Sequence, residues 1–292
     1  MNNEVRYSFL ILISTLSWGI TFPLIKISLE FMSPVIFLAI RFAISSVFIL
    51  PFVKDRNFRK GLRQGFTAGF FLFLGYYFQT VGLYYTSPAI SGFITGIYIV
   101  LVPIIMFIFY KATISKLDIS AVLLAFIGLI VITVGEVSSF SLQLGDLLTF
   151  ICAVGYAMQI VYVARNNTLD MVKFTFYQML SVAIFSTIAI PTFPVYINID
   201  SPILIFTIGF TALFAGVLAY FITNKALVYV KPERASVIMI SEPIFAAIFS
   251  VILTGVPLSD YTIAGGALMV FAMFISIVLN SSKRREMKIN AT

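Results

Sequence analysis

The sequence predicts an all-α membrane protein of ten transmembrane helices arranged as two inverted five-helix repeats. Three observations predict it. Hydrophobic residues make up 60% of the 292 and charged residues only 11%, far from the roughly half-apolar usage of soluble domains. Ten apolar runs each approach the ~20 residues that cross a ~30 Å hydrocarbon layer. The basic residues fall on alternate connections, and phrases from the first half of the chain return in the second.

The runs are too long and too continuously apolar to be barrel strands of ~10 alternating residues. The first, 7–29, follows Arg6, is longer than a signal-peptide core and has no small-residue cleavage site, so it is read as a helix that stays. Trp18 and Phe22, spaced i, i+4, share one of its faces. Both are candidates to line a cavity, Trp18 as the only tryptophan and one set below the interfacial belt. Lys26 lies nearer the end of the run, where snorkelling to the interface is expected.

The second run, 35–53, places Arg41 seven residues beyond Pro34, about 10 Å below the surface. Three roles are open to it: holding a substrate carboxylate, neutralising an acid such as Glu242, or pairing structurally. The third run, 64–86, offers Tyr77 and Gln79. The fourth, 88–110, carries Tyr98, with Pro88 near its start and Pro103 inside. The fifth, 119–135, contributes the small residues Ala121 and Gly128, expected to pack helices closely.

In the sixth run, 144–163, Tyr156 and Gln159 combine flat apolar surface with hydrogen-bonding groups, while Cys152 reads as a small core residue. The seventh, 174–192, has Gln178 where the second run has Arg41, and the eighth, 203–229, adds Asn224. The ninth, 234–254, holds Glu242 and Pro243. Glu242 is about nine residues in, or ~14 Å, near the middle of the layer. A carboxylate there must face water, pair or take up a proton, so Glu242 is expected to face a cavity and is a candidate for proton coupling. Pro103 and Pro243 interrupt equivalent helices and are the predicted hinges. The tenth run, 261–280, repeats the small residues as Gly265 and Ala272.

Seventeen of the nineteen lysines and arginines lie in the even-numbered connections or near the two ends, including the tail "KRREMK"; Lys26 and Arg41 are the other two. The odd-numbered connections carry acids and no basic residue. The positive-inside rule therefore places the even connections and both termini in the cytoplasm, in a multi-pass protein of the inner or plasma membrane.

"LYYTSPAISGF", from Leu83, returns as "LVYVKPERASV" from Leu227, and Ala121 with Gly128 returns at the same spacing as Gly265 with Ala272. Residues 1–136 thus read as one repeat and 137–292 as its copy with the tail. Five helices is an odd number, so the copy must cross the bilayer upside down. That is a transporter architecture, in which two alike halves exchange conformations about a midplane site.

Several stretches carry a family resemblance: "LSWGITFPLIK", "LAIRFAISSVFILP", "FQTVGLYYTSPAISGFITGIYIVLVP", "GDLLTFICAVGYAMQIVYVAR" and "ALVYVKPERASVIMISEPIFAAIFSVILTG". They resemble the two EamA-type repeats of the drug/metabolite transporter superfamily. The resemblance implies a central cavity lined by helices one to four and six to nine, and export or exchange of small metabolites, often amino acids. The chain departs from the family in having Tyr156 where tryptophan is common, and Val102-Pro103 where the second repeat keeps Glu242-Pro243. The implied site is therefore asymmetric.

The chain has no histidine and one cysteine, so internal disulfides, His/Cys metal clusters and Ser-His or Cys-His nucleophiles are not available to it. No phosphate-cradling Gly-x-x-x-x-Gly-Lys-Ser/Thr loop occurs either. No enzyme activity, cofactor, metal or nucleic-acid partner is expected. The expected partners are a small-molecule solute and the lipid bilayer, for a monomer or homodimer. The competing readings are a lipid flippase, a membrane receptor or scaffold, and an intramembrane transferase.

Overall fold

A computed structural model describes residues 3–54, 57, 59–86, 88–136, 143–166, 170–254 and 258–279. The basic tail, Arg56 and the side chain of Pro88 lie outside what is described. The helices of the first half are α1a (Asn3–Gly19) and α1b (Thr21–Ser28), α2 (Pro34–Ile49), α3 (Leu62–Tyr85), α4a (Pro88–Gly96) and α4b (Tyr98–Tyr110), and α5 (Lys116–Glu136). The second half continues with α6 (Leu144–Arg165), α7 (Met171–Ile188), α8a (Pro202–Phe210), a π-helical stretch Thr211–Leu218, α8b (Ala219–Ala226), α9a (Pro232–Met239), α9b (Glu242–Thr254) and α10 (Asp260–Phe274).

Among the described residues nine stretches are long and apolar enough to span a membrane, and the tenth predicted span is α9a with α9b. The outside of the bundle is apolar: Val47, Phe107, Phe109 and Ile188 are each about two-thirds exposed, 66–69%. The inside holds polar residues such as Arg41, Thr149, Gln178 and Asn224, all nearly solvent-free. That is the distribution a lipid-facing protein needs, because hydrocarbon offers polar groups no partner.

Helix pairing has two-fold pseudo-symmetry. α3 packs on α6 and α8 on α1; α4 packs on α6 and α9 on α1; α3 packs on α7 and α8 on α2. α2·α7 and α5·α10 map onto themselves when the halves are exchanged. At the α5·α10 crossing a Cβ on Gly128 would sit 2.6 Å from the Gly265 carbonyl. The small residues that echo between the repeats thus press the two halves together.

The halves are inverted. At one end Arg234 at the start of α9a pairs with Glu4 of α1a and, at 2.8 Å, with Asp118 of α5. Lys173 at the start of α7 donates to the Asn57 carbonyl at the same end, 2.6 Å. At the opposite end the start of α6 meets the end of α3, where Thr86 donates to Asp146 at 2.8 Å. There the α1–α2 and α7–α8 connections also pair, through Ser33 N–H to Tyr196 O and Asn198 N–H to Phe31 O. α1 and α6 therefore start at opposite ends.

Lys26 reaches the end of the neighbouring span. Its ammonium donates to the carbonyls of Leu83 (2.6 Å) and Thr86 (3.1 Å), capping the C-terminus of α3, where a cation meets the negative end of the helix.

Candidate functional site

Three helices are interrupted near mid-span. Ile20 (φ −71°, ψ −18°), Ile97 (φ −57°, ψ −22°) and Ile240 (φ −69°, ψ −1°) carry a tightened, 3₁₀-like backbone between helix halves. Pro23 and Pro243 explain two of the breaks. Each lacks the N–H that would bond the carbonyl four residues back, that of Gly19 or Met239, both of which close a helix half. Pro103, by contrast, lies five residues inside α4b, and the break in that helix comes earlier, after Gly96. The two predicted hinge prolines therefore stand differently to their breaks.

The interruptions surround a cavity in the middle of the bundle. Trp18 and Thr21 line it from α1, Tyr76 and Gln79 from α3, and Thr95 and Tyr98 from α4. Tyr156, Gln159 and Ile160 come from α6, Tyr220 from α8b, and Met239 and Glu242 from α9. Five i, i+3 pairs recur here: 18/21, 76/79, 95/98, 156/159 and 239/242. Residues three apart share a helix face and eclipse one another in a 3₁₀ turn. Three of the pairs straddle a break, so the tightened turns aim both members inward.

Polar groups of the wall are tied to each other. Tyr156 donates to Gln79 Oε1 at 2.8 Å, Gln79 Nε2 to Thr95 Oγ1 at 3.3 Å, and Thr95 Oγ1 lies 3.6 Å from the sulfur of Cys152. Trp18 Nε1 donates to the Ala215 carbonyl in the π-helical stretch, 2.9 Å. Glu242 differs. Its side chain is partly accessible and makes no hydrogen bond or ion pair among the described residues.

Six of the ten residues singled out from sequence come together on this wall: Trp18, Gln79, Tyr98, Tyr156, Gln159 and Glu242. Four are placed elsewhere. Phe22, one position past the i+3 site, is buried in the hydrophobic core. Arg41 sits next to the wall, not on it. Its Nε donates to the Thr211 carbonyl (3.2 Å), its Nη2 to the Tyr76 hydroxyl (3.4 Å), and its guanidinium lies 4.8 Å from the Tyr76 ring centre. Tyr77 hydrogen-bonds Thr192 at 2.7 Å, near the end of α7. Asn224 donates to Thr175 (3.0 Å) and Gln178 (2.7 Å), joining α8b to α7.

Sequence reading missed Thr21, Tyr76, Thr95, Ile160, Tyr220 and Met239. For four of them a signal existed, the i−3 or i+3 position from a residue already singled out. Tyr220 carried no such signal, because its nearest singled-out neighbour, Asn224, faces α7.

Comparison with known proteins agrees with this architecture. The EamA-like transporter family matches the chain twice, over residues 5–134 and 143–278. An uncharacterized transporter of Archaeoglobus fulgidus is 36% identical over 264 residues, covering 89% of this chain and 82% of that protein. The uncharacterized transporter YyaM of Bacillus subtilis is 29% identical over 274 residues, with 87% and 88% covered. A solved crystal structure of a protein 16% identical in sequence superposes with a TM-score of 0.79, covering 94% of this chain and 97% of the other, which speaks for the fold. On these matches the chain belongs to the EamA-like transporter family of the drug/metabolite transporter superfamily.

Proposed function

We propose that the chain is a secondary transporter that exports or exchanges small metabolites by alternating access, with the central cavity as its solute site. The observation that carries this reading is the cavity's position. Both inverted halves build it, at the levels where α1, α4 and α9 are interrupted, and separate sets of contacts close the bundle at its two ends. Trp18, Gln79, Tyr98, Tyr156 and Gln159 form the binding wall in this reading, and Glu242 takes up the coupling proton. The end that carries Arg234 and Lys173 is cytoplasmic, with both termini on that face of the cell membrane, by the positive-inside rule.

The test is uptake into proteoliposomes of a labelled metabolite panel, with and without a pH gradient. Glu242→Gln is expected to abolish gradient-driven accumulation while solute counterflow continues. Accumulation that survives the substitution would end the coupling role. A panel that never moves in either direction would end the transport reading.

A further inference from the structure

The cavity wall has an unusual balance of charge and π-surface. Five aromatic rings face one space: Trp18, Tyr76, Tyr98, Tyr156 and Tyr220. Trp18 and Tyr220 lie 5.2 Å apart at 50°, Tyr76 and Tyr156 5.5 Å at 89°, and Tyr76 and Tyr220 6.1 Å at 62°. None of these pairs is parallel; they pack tilted or edge to face, and the Tyr76 ring also carries Arg41. An aromatic face is the negative part of the ring and attracts a cation within about 6 Å of its centre, most strongly where water is excluded.

Glu242 supplies the only formal charge on this wall, and its carboxylate has no protein partner among the described residues. A carboxylate at this depth in the membrane is costly to leave unpaired. Three donors of the wall are committed, since the Trp18 N–H, one Gln79 N–H and the Tyr156 O–H each bond a protein acceptor, whereas Gln159 Nε2 has no partner among the described residues; that amide is neutral and does not balance a full negative charge. Arg41 is the nearby cation but does not line the cavity; its guanidinium lies against the Tyr76 ring and donates to the Tyr76 hydroxyl through Nη2, while Nη1 has no partner among the described residues.

Resting on the transport reading above, we infer that the solute is a small organic cation, an amine or quaternary ammonium carrying an apolar group. Its charge sits between the Glu242 carboxylate and the surrounding aromatic faces.

Trp18 is the chain's only tryptophan and lines the cavity, so its fluorescence reports occupancy directly. The experiment titrates purified protein in nanodiscs with four probes that share a phenyl group: benzyltrimethylammonium, 3-phenylpropionamide, phenylalanine and 3-phenylpropionate. The cation is expected to bind at least tenfold more tightly than the neutral amide, and the zwitterion and anion no better than the amide. Glu242→Gln is expected to bring the cation's affinity down to that of the amide, and an amide titration that still saturates shows an intact cavity. Glu242→Asp, which keeps the charge, is expected to retain most of the preference and guards against a Gln variant that does not fold. Tyr156→Leu is expected to cost the cation severalfold more than the amide.

Equal affinity for cation and amide, tighter binding of phenylalanine or phenylpropionate, or a preference that survives in Glu242→Gln would each overturn the inference. The assay needs no transport, so the two readings fail separately. Cation binding without movement in proteoliposomes would remove the transport reading alone. Counterflow of another solute with no cation binding would remove the substrate class alone.

Discussion

Asn224 and Glu242 are both polar residues in mid-span helices, and their surroundings give them different work. Asn224 is completely buried and gives both its N–H groups to α7 side chains, whereas Glu242 faces empty space. Interhelical polar contacts of this kind contribute ~0.6–2 kcal/mol in membranes. Asn224→Leu is therefore expected to destabilise the protein by about 1–2 kcal/mol in a reversible unfolding measurement in detergent. Probe affinity at Trp18 should stay within about twofold; a large loss of affinity would return Asn224 to the binding wall. Sequence reading grouped the two residues because depth in the hydrocarbon is legible from helix position, whereas the azimuth of a single polar side chain depends on which neighbour it finds. The same gap separates Tyr77 from Tyr76: one position, about 100° of helix rotation, turns a ring from the cavity to Thr192.

At the level of helices, number, order and inversion were legible, because apolar run length and basic-residue alternation are imposed by the bilayer and not by packing detail. Interruptions were legible only where proline makes them. Pro243 marks the α9 break, but the turn at Ile97 has no proline to announce it, and the π-helical stretch 211–218 has none at all. That stretch is held from outside. Arg41 Nε donates to the Thr211 carbonyl at 3.2 Å, Ser45 Oγ to Ala212 at 2.9 Å, and Trp18 Nε1 to Ala215 at 2.9 Å. Its conformation depends on residues more than 160 positions away, which no local pattern reveals. The α9 break yields a prediction. Pro243→Ala restores a donor for the Met239 carbonyl, and a backbone hydrogen bond contributes ~1 kcal/mol net toward the continuous helix. Transport turnover is expected to fall about fivefold with probe affinity within about twofold, measured by counterflow and by Trp18 titration. Unchanged turnover would show that α9 does not bend during the cycle.

For the whole molecule, the two ends are closed by different chemistry although the helices that form them are related by pseudo-symmetry. The end carrying Arg234 holds α1, α5 and α9 together through buried ion pairs to Glu4 and Asp118, and Ser115 adds a 2.7 Å bond to Asp118. The opposite end is held by the Thr86–Asp146 bond, by Lys26 donating to the carbonyls that finish α3, and by the backbone bonds that join the α1–α2 and α7–α8 connections. A closing contact that must open during a cycle sets the population of the open state, and charge-assisted bonds contribute roughly twice what neutral ones do, a difference of ~1 kcal/mol. Asp118→Asn keeps the shape and an acceptor oxygen but removes the charge facing Arg234. The state open at that end should then become about fivefold more populated. Trp18, 6% exposed, is the reporter. Iodide does not cross the bilayer, so its quenching of Trp18 is expected to rise when it is supplied on the face carrying Arg234 and to stay unchanged when it is supplied on the other. Asp146→Asn should do the reverse. Equal quenching from both faces in both variants would mean that these carboxylates hold the fold and do not govern access to the cavity.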